Sequence, residues 1–186
     1  MKSSHLGVWV AVGVALAATT AVADDLVPAV PVVPLGPADN VFGKQGTIQL
    51  GGSISGTWMS SLSTFGIDPE VGYFIRDMFE LTAIVGIDYT NTRQSDGTRV
   101  GNTDFDVLLE PSYHVPLSKG TLLFGGLGVG VGYAENTVGF DLVPRVGVNI
   151  EIGKSGVFSP AIKVPILIGS GVTSGVELEA GFSTAF

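Results

Sequence analysis

Cysteine is absent from the 186-residue chain. Disulfide stapling and thiolate chemistry are thereby excluded, so the fold rests on backbone pairing and packing. Histidine occurs twice, and outside the first residues His114 stands alone among scattered carboxylates. That set lacks a ligand cluster, so no metal site and no cofactor are expected. Basic residues are scarce, 9 against 17 acidic ones, for a net charge of -8. A surface so charged repels nucleic acid. Charged residues make up only 14% of the chain and mean hydropathy is +0.46, yet no run beyond the amino-terminal segment is a continuous apolar helix of spanning length. The chain is apolar without being a helical membrane protein.

What is present begins with MKSSHLGVWVAVGVALAATTAVADD. Lys2 precedes an apolar run from Leu6 to Ala18, and the triplet Ala21, Val22, Ala23 is followed by Asp24 and Asp25. This is the pattern of a secretory signal peptide, residues 1–23, cut after Ala23. The run is shorter than the roughly 20 residues of a spanning helix. Loss of Lys2 leaves 8 basic against 17 acidic residues, a net charge of -9 on the mature chain. Residues 24–43 carry Pro28, Pro31, Pro34 and Pro37 among small apolar residues and read as an extended periplasmic leader. The folded domain is expected over 44–186.

From Lys44 onward the apolar period is two. Runs beginning at Ile48, Phe65, Phe79, Phe105, Thr121, Val138, Phe158 and Val176 each put bulky apolar residues on one face. The opposite face is rich in small residues such as Gly51, Ser53, Gly72, Gly86, Gly126, Gly147 and Gly181. Short polar turns at 76–78, 116–120 and 153–156 alternate with longer connections, among them a polar loop at 91–103. The apolar set far exceeds the roughly dozen side chains that fill an eight-stranded barrel. It must therefore face outward, and it holds no charge, as a lipid face requires. The expected fold is all-β: a transmembrane eight-stranded antiparallel up-and-down β-barrel.

Aromatic residues gather at strand ends. Trp58, Phe65, Tyr89, Phe105, Tyr133 and Phe140 fall at one rim, and Tyr73, Phe79, Tyr113, Phe158, Phe182 and Phe186 at the other. Two such rows read as interfacial girdles.

On these features residues 44–186 resemble the small eight-stranded outer-membrane barrels of Gram-negative bacteria, the type of outer membrane proteins X and W and the opacity proteins. In that family a carboxyl-terminal pattern of a polar residue, a glycine and closing aromatics is read by the barrel-assembly machinery. Glu179, Gly181 and Phe186 match it, and Thr184 stands where an aromatic is usual. The resemblance implies residence in the outer membrane, contact with its lipids, and recognition by the assembly machinery during insertion. A monomer is expected.

Candidate chemistry lies on the inward face. Counting to the middle of each strand places Glu70, Glu110, Arg145, Lys163 and Glu179 near one level, where buried charges must be paired. They are expected to form one lumen charge network. Asp68, Glu80, Asp88, Asp104, Asp106, Asp141, Glu151 and Glu177 are placed nearer the mouths, solvated. The glycines of GGLGVGVG, residues 125–132, match neither phosphate-loop spacing and lie within a strand, so they read as a thinned wall. Glu110, Ser112 and His114 share a strand face and invite a hydrolase reading. The barrel lipid A deacylases use the order His-x-Ser on a lipid-facing side, whereas here the order is reversed and the parity inward, so no catalytic residue is assigned. Pro69, Pro111, Pro144, Pro160 and Pro165 fall within strands and are expected to force bulges or register breaks. The functional expectation is a non-enzymatic barrel with a structural or surface-contact role and a plugged polar lumen. The alternatives are a narrow conduit for small solutes and a lipid-modifying enzyme.

Overall fold

The computed structural model describes residues 41–58, 61–134, 137–169 and 172–186. The signal peptide and residues 24–40 of the leader lie outside the described residues. The chain runs through β1 (Ile48–Trp58), β2 (Leu62–Arg76), β3 (Phe79–Arg93), β4 (Arg99–Ser118), β5 (Thr121–Ala134), β6 (Thr137–Ile152), β7 (Gly156–Lys163), β8 (Ile166–Ile168), β9 (Val172–Ser174) and β10 (Glu177–Ala185). No helix occurs among the described residues. Strands β1 to β7 pair antiparallel in sequence order, β8 pairs with β6 and β9, and β10 pairs with both β7 and β1, closing the sheet.

The barrel is eight-stranded because β7 and β8 are one strand interrupted, as are β9 and β10. Arg145 faces Lys163 and Leu142 faces Ile166 in a single register with β6. Glu177 faces Lys163 and Ser174 faces Ile166 likewise. The gap falls at Val164 and Pro165, where Val164 N still donates to Pro144 O (3.0 Å) and Gly175 N to Pro165 O (3.2 Å). Above the gap, β9 pairs with β8 alone among the described residues.

The expectation of proline-induced breaks is corrected for Pro69, Pro111, Pro144 and Pro160, whereas Pro165 stands in the gap between β7 and β8. Gly52 stays opposite Pro69, Leu81 opposite Pro111, Leu127 opposite Pro144 and Ala180 opposite Pro160. On the other side of each proline the ladder skips a step and resumes in the same register, as where Ile67–Ile87 is followed by Glu70–Ile84. The reason is geometric: a strand residue directs its N–H and C=O to one neighbour, so a proline weakens one ladder and leaves the other whole.

Register shifts occur instead beside two tight turns, between Phe74 and Arg76 and between Pro116 and Ser118. The second turn residues, Met78 and Gly120, have φ of 63° and 74°. Glycine takes that conformation freely, whereas it costs Met78 about 1–2 kcal/mol. Packing of Met78 against a buried cluster, and its hydrogen bonds from Met78 N to Gly43 O (2.7 Å) and from His114 N to Met78 O (2.8 Å), hold it there.

At the opposite end the polar stretch 91–103 is mostly strand. Thr92 pairs with Val100 and Arg93 with Arg99, leaving a tip of residues 94–98. The ladder continues past the apolar zone because pairing satisfies backbone groups as well in water as in lipid. At the tip, Thr98 N and Oγ1 donate to Asp96 Oδ1 at 2.9 and 2.6 Å. These bonds lower the Asp96 pKa below its ordinary value, the side-chain hydrogen bond contributing most.

Candidate functional site in the barrel interior

Alternation sorts the side chains into two populations. Ile54, Ile67, Val71, Val85, Val107, Leu109, Val131, Val146, Ile162 and Leu178 are exposed on the outer wall. Ser53, Asp68, Glu70, Glu80, Thr82, Glu110, Asn149, Lys163 and Glu179 are buried inside it. Inward glycines make the interior habitable for long acids. A Cβ at Gly72 would meet the Glu80 carboxylate, at Gly86 that of Asp106, at Gly126 that of Glu110 (2.5 Å) and at Gly132 that of Asp141.

Beside the short turns the lumen is closed by an apolar plug. Phe42, Phe74, Leu122, Val157 and Ala185 form a buried cluster, with the Phe42 ring edge-on to Phe74 at 5.2 Å and to His114 at 5.7 Å. The segment before β1 therefore turns into the mouth, with Gly46 N donating to Phe74 O (2.8 Å) and Phe74 N to Thr47 O (3.0 Å). This moves the start of the fold: residues 41–43, read from sequence as leader, belong to the barrel because an apolar mouth recruits Phe42.

Above the plug a polar relay crosses four strands. Ser159 Oγ donates to Asn149 Oδ1 (2.7 Å), and Asn149 Nδ2 lies 3.0 Å from His114 Nδ1. With Asn149 as donor, the imidazole proton is assigned to Nε2, which faces Glu80 Oε2 at 3.1 Å and Ser112 Oγ at 3.2 Å. His114 is 2% exposed and packed among Phe42, Phe74 and Phe124. Glu80, read as a solvated mouth residue, is buried here as the partner of His114.

Arg145 occupies the next level, its guanidinium 5.5 Å from the Phe124 ring centre. Nη2 and Nε donate to Glu110 Oε1 at 2.8 and 3.2 Å, and Nη1 donates to Glu179 Oε1 at 2.8 Å and to Glu70 Oε2 at 3.4 Å. Three carboxylates from β2, β4 and β10 thus converge on one cation from β6. Lys163 is not part of that group, which corrects the single-network expectation. Its Nζ lies 2.8 Å from Asp68 Oδ2 and 3.4 Å from Glu177 Oε2, two acids read as solvated but buried here. Arg145 and Lys163 face each other across the β6–β7 ladder. Like charges so placed repel, and the two side chains part toward different carboxylates.

Ile84, Leu108 and Val143 form a second buried apolar cluster. Sequence reading missed it and the plug, although both left a signal. At Phe74–Ile75, Ala83–Ile84–Val85, Leu108–Leu109, Leu122–Leu123–Phe124 and Leu142–Val143 the alternation lapses into consecutive apolar residues. A cavity of about 40 Å³ lies between the ion groups, and one of about 450 Å³ opens above it. The larger is lined by Asp88, Asp104, Asp106, Asp141 and Glu177 together with Thr64, Thr90, Phe105, Tyr133 and Leu167.

The aromatic positions fall at two levels of the ladder. Phe65 faces Tyr89 and Phe105 faces Tyr133 at one end, with Trp58 and Phe140 also exposed. At the other, Phe79 faces Tyr113 and Phe158 faces Phe182. Ile48 N donates to Phe186 O (2.9 Å) and Phe186 N to Ile48 O (3.0 Å), beside Tyr73 opposite Ile48. Gly181 sits between Ser53 and Ser159 across its two ladders.

No protein-family model matches the chain, and no curated protein matches it in sequence. Solved structures do match. Neisserial surface protein A aligns with 14% identity and a TM-score of 0.55 over 75% of this chain and 96% of its own. The amino-terminal β-barrel domain of Pseudomonas aeruginosa OprF aligns at 13% and 0.53 over 76% and 98%. The outer membrane protein OprG of the same species aligns at 12% and 0.53 over 80% and 98%. Closed by β1 and β10, apolar outside and charged within, this chain has the fold of the small eight-stranded β-barrels of Gram-negative outer membranes.

Proposed function

We propose that this protein is a non-conducting, non-enzymatic barrel of the outer membrane that serves a structural or surface-contact role. The carrying observation is the content of the lumen. Phe42 and its partners fill the mouth beside the chain end, and the Arg145 and Lys163 ion groups fill the middle. The aromatic rows lie where two lipid interfaces would meet the wall, and the β3–β4 hairpin carries its polar tip beyond one of them. Ser112 and His114 are within 3.2 Å, but both are enclosed and Glu110 is committed to Arg145. That geometry favours a structural role for all three over lipid hydrolysis.

Planar-bilayer recording tests this reading. The purified mature protein should add no steady conductance over hours at moderate voltage. Resolved, reproducible single-channel steps would replace it with the solute-conduit reading.

A further inference from the structure

The upper cavity is strongly acidic. Of about 450 Å³, it has the size of a small-molecule site. Its lining holds Asp88, Asp104, Asp106, Asp141 and Glu177 and, among the described residues, no lysine or arginine. The nearest cation, Lys163, is already held from below by Asp68 and Glu177.

Asp141 supplies an independent sign that something is missing. Its side chain lines both cavities, is 7% exposed, and makes no hydrogen bond or ion pair among the described residues. Burying an ionised carboxylate without a partner is costly, so such a group is kept where a counter-charge arrives. Asp88 Oδ1 and Asp106 Oδ1 are likewise buried oxygens without a hydrogen bond. Gly66, Gly86 and Gly132 sit against the carboxylates of Asp88, Asp106 and Asp141, so the acids lie along the wall and the volume stays open.

The spacing of the acids selects the ligand class. No three of them converge as metal ligands would, among the described residues. Charges spread around a cavity suit a cation whose charges are themselves spread along an apolar stem, with Leu62 and Leu167 on the inner wall for its methylenes. We propose that this vestibule binds a linear aliphatic polyamine, its ammonium groups paired with Asp141, Asp106 and Asp88.

The test titrates the folded mature protein in detergent with spermidine at fixed ionic strength, following heat and backbone amide shifts. Saturable binding is expected, with shifts concentrated at Gly66, Gly86 and Gly132 and none at Gly120. Asp141→Asn and, as a second variant should the first fail to fold, Asp106→Asn should each weaken binding about tenfold while the folded protein keeps its heat-dependent gel mobility. Absence of saturable heat, unchanged affinity in the folded variants, or displacement of spermidine by Mg²⁺ at equal charge concentration would overturn the assignment. Tighter binding of a trilysine peptide than of spermidine would overturn it too, by making the ligand a protein segment.

Discussion

Replacing Arg145 by alanine removes the cation on which Glu70, Glu110 and Glu179 converge. The guanidinium side chain is 10% exposed and meets them at 3.4, 2.8 and 2.8 Å. What remains is three carboxylates, two of which, Glu110 and Glu179, line a space of about 40 Å³ that gains the volume of the lost side chain. Removing one partner of a buried pair costs about 3–5 kcal/mol, because the other charge stays buried. Loss of the guanidinium beside Phe124 adds about 0.5–1 kcal/mol. With a urea dependence of about 2 kcal/mol per molar, the unfolding midpoint in detergent should fall by on the order of 2 M. The folded fraction is read from the mobility difference between unboiled and boiled samples. Arg145→Lys should recover only part of the loss, since an ammonium does not reproduce the planar fork that reaches Glu110 and Glu179 together. Glu110→Gln in the Arg145→Ala background should be less destabilising than in the wild type. An unchanged midpoint for Arg145→Ala, or additive effects in that cycle, would mean the charges are independently solvated and would refute the reasoning.

Three further outcomes are expected. Deleting Phe186 removes its paired hydrogen bonds with Ile48 along with the terminal aromatic, and should lower the heat-modifiable protein in outer-membrane fractions while signal-peptide processing continues; equal recovery would contradict the assembly-signal reading. Phe42→Ala empties the plug and should destabilise the barrel by about 3 kcal/mol in the same urea titration; no change would mean residues 41–47 merely rest at the mouth. Asp96 should titrate below its ordinary value of 3.8, and Thr98→Val should move the midpoint upward in an NMR titration. A depressed folded pKa means that the tip's ordering is present above the ordinary value and is lost as pH falls through the lowered one.

The sheet, its strand number and the outward direction of the apolar face were legible in the sequence because a period of two commits a residue to one side wherever one environment is lipid. Depth was not legible in the same way. Counting to strand middles put Lys163 level with Glu70, but strands in a barrel are tilted and staggered. The observed register sets Glu177 opposite Lys163 and Ser53 opposite Asp68. Arg145 was found with its three acids because all four lie near the waist, where the stagger matters least. Phe42 was hidden for a different reason: its partners come from β2, β5, β7 and β10, and a single residue beyond the first strand carries no period. Prolines misled because the pairing rule was applied to a residue as a whole rather than to the one ladder its N–H serves.

The interruption at Val164 and Pro165 divides the wall into parts of unequal cooperativity. Below it, every strand is stitched on both sides, so no segment can leave without unzipping the closed cylinder. Above it, β8 and β9 form a small hairpin fastened to β6 by three residue pairs, with the far side of β9 unpaired among the described residues. Such a flap opens at a lower free energy than the body that carries it, so its amides should exchange with solvent first. The vestibule has one side that yields while the barrel stays shut.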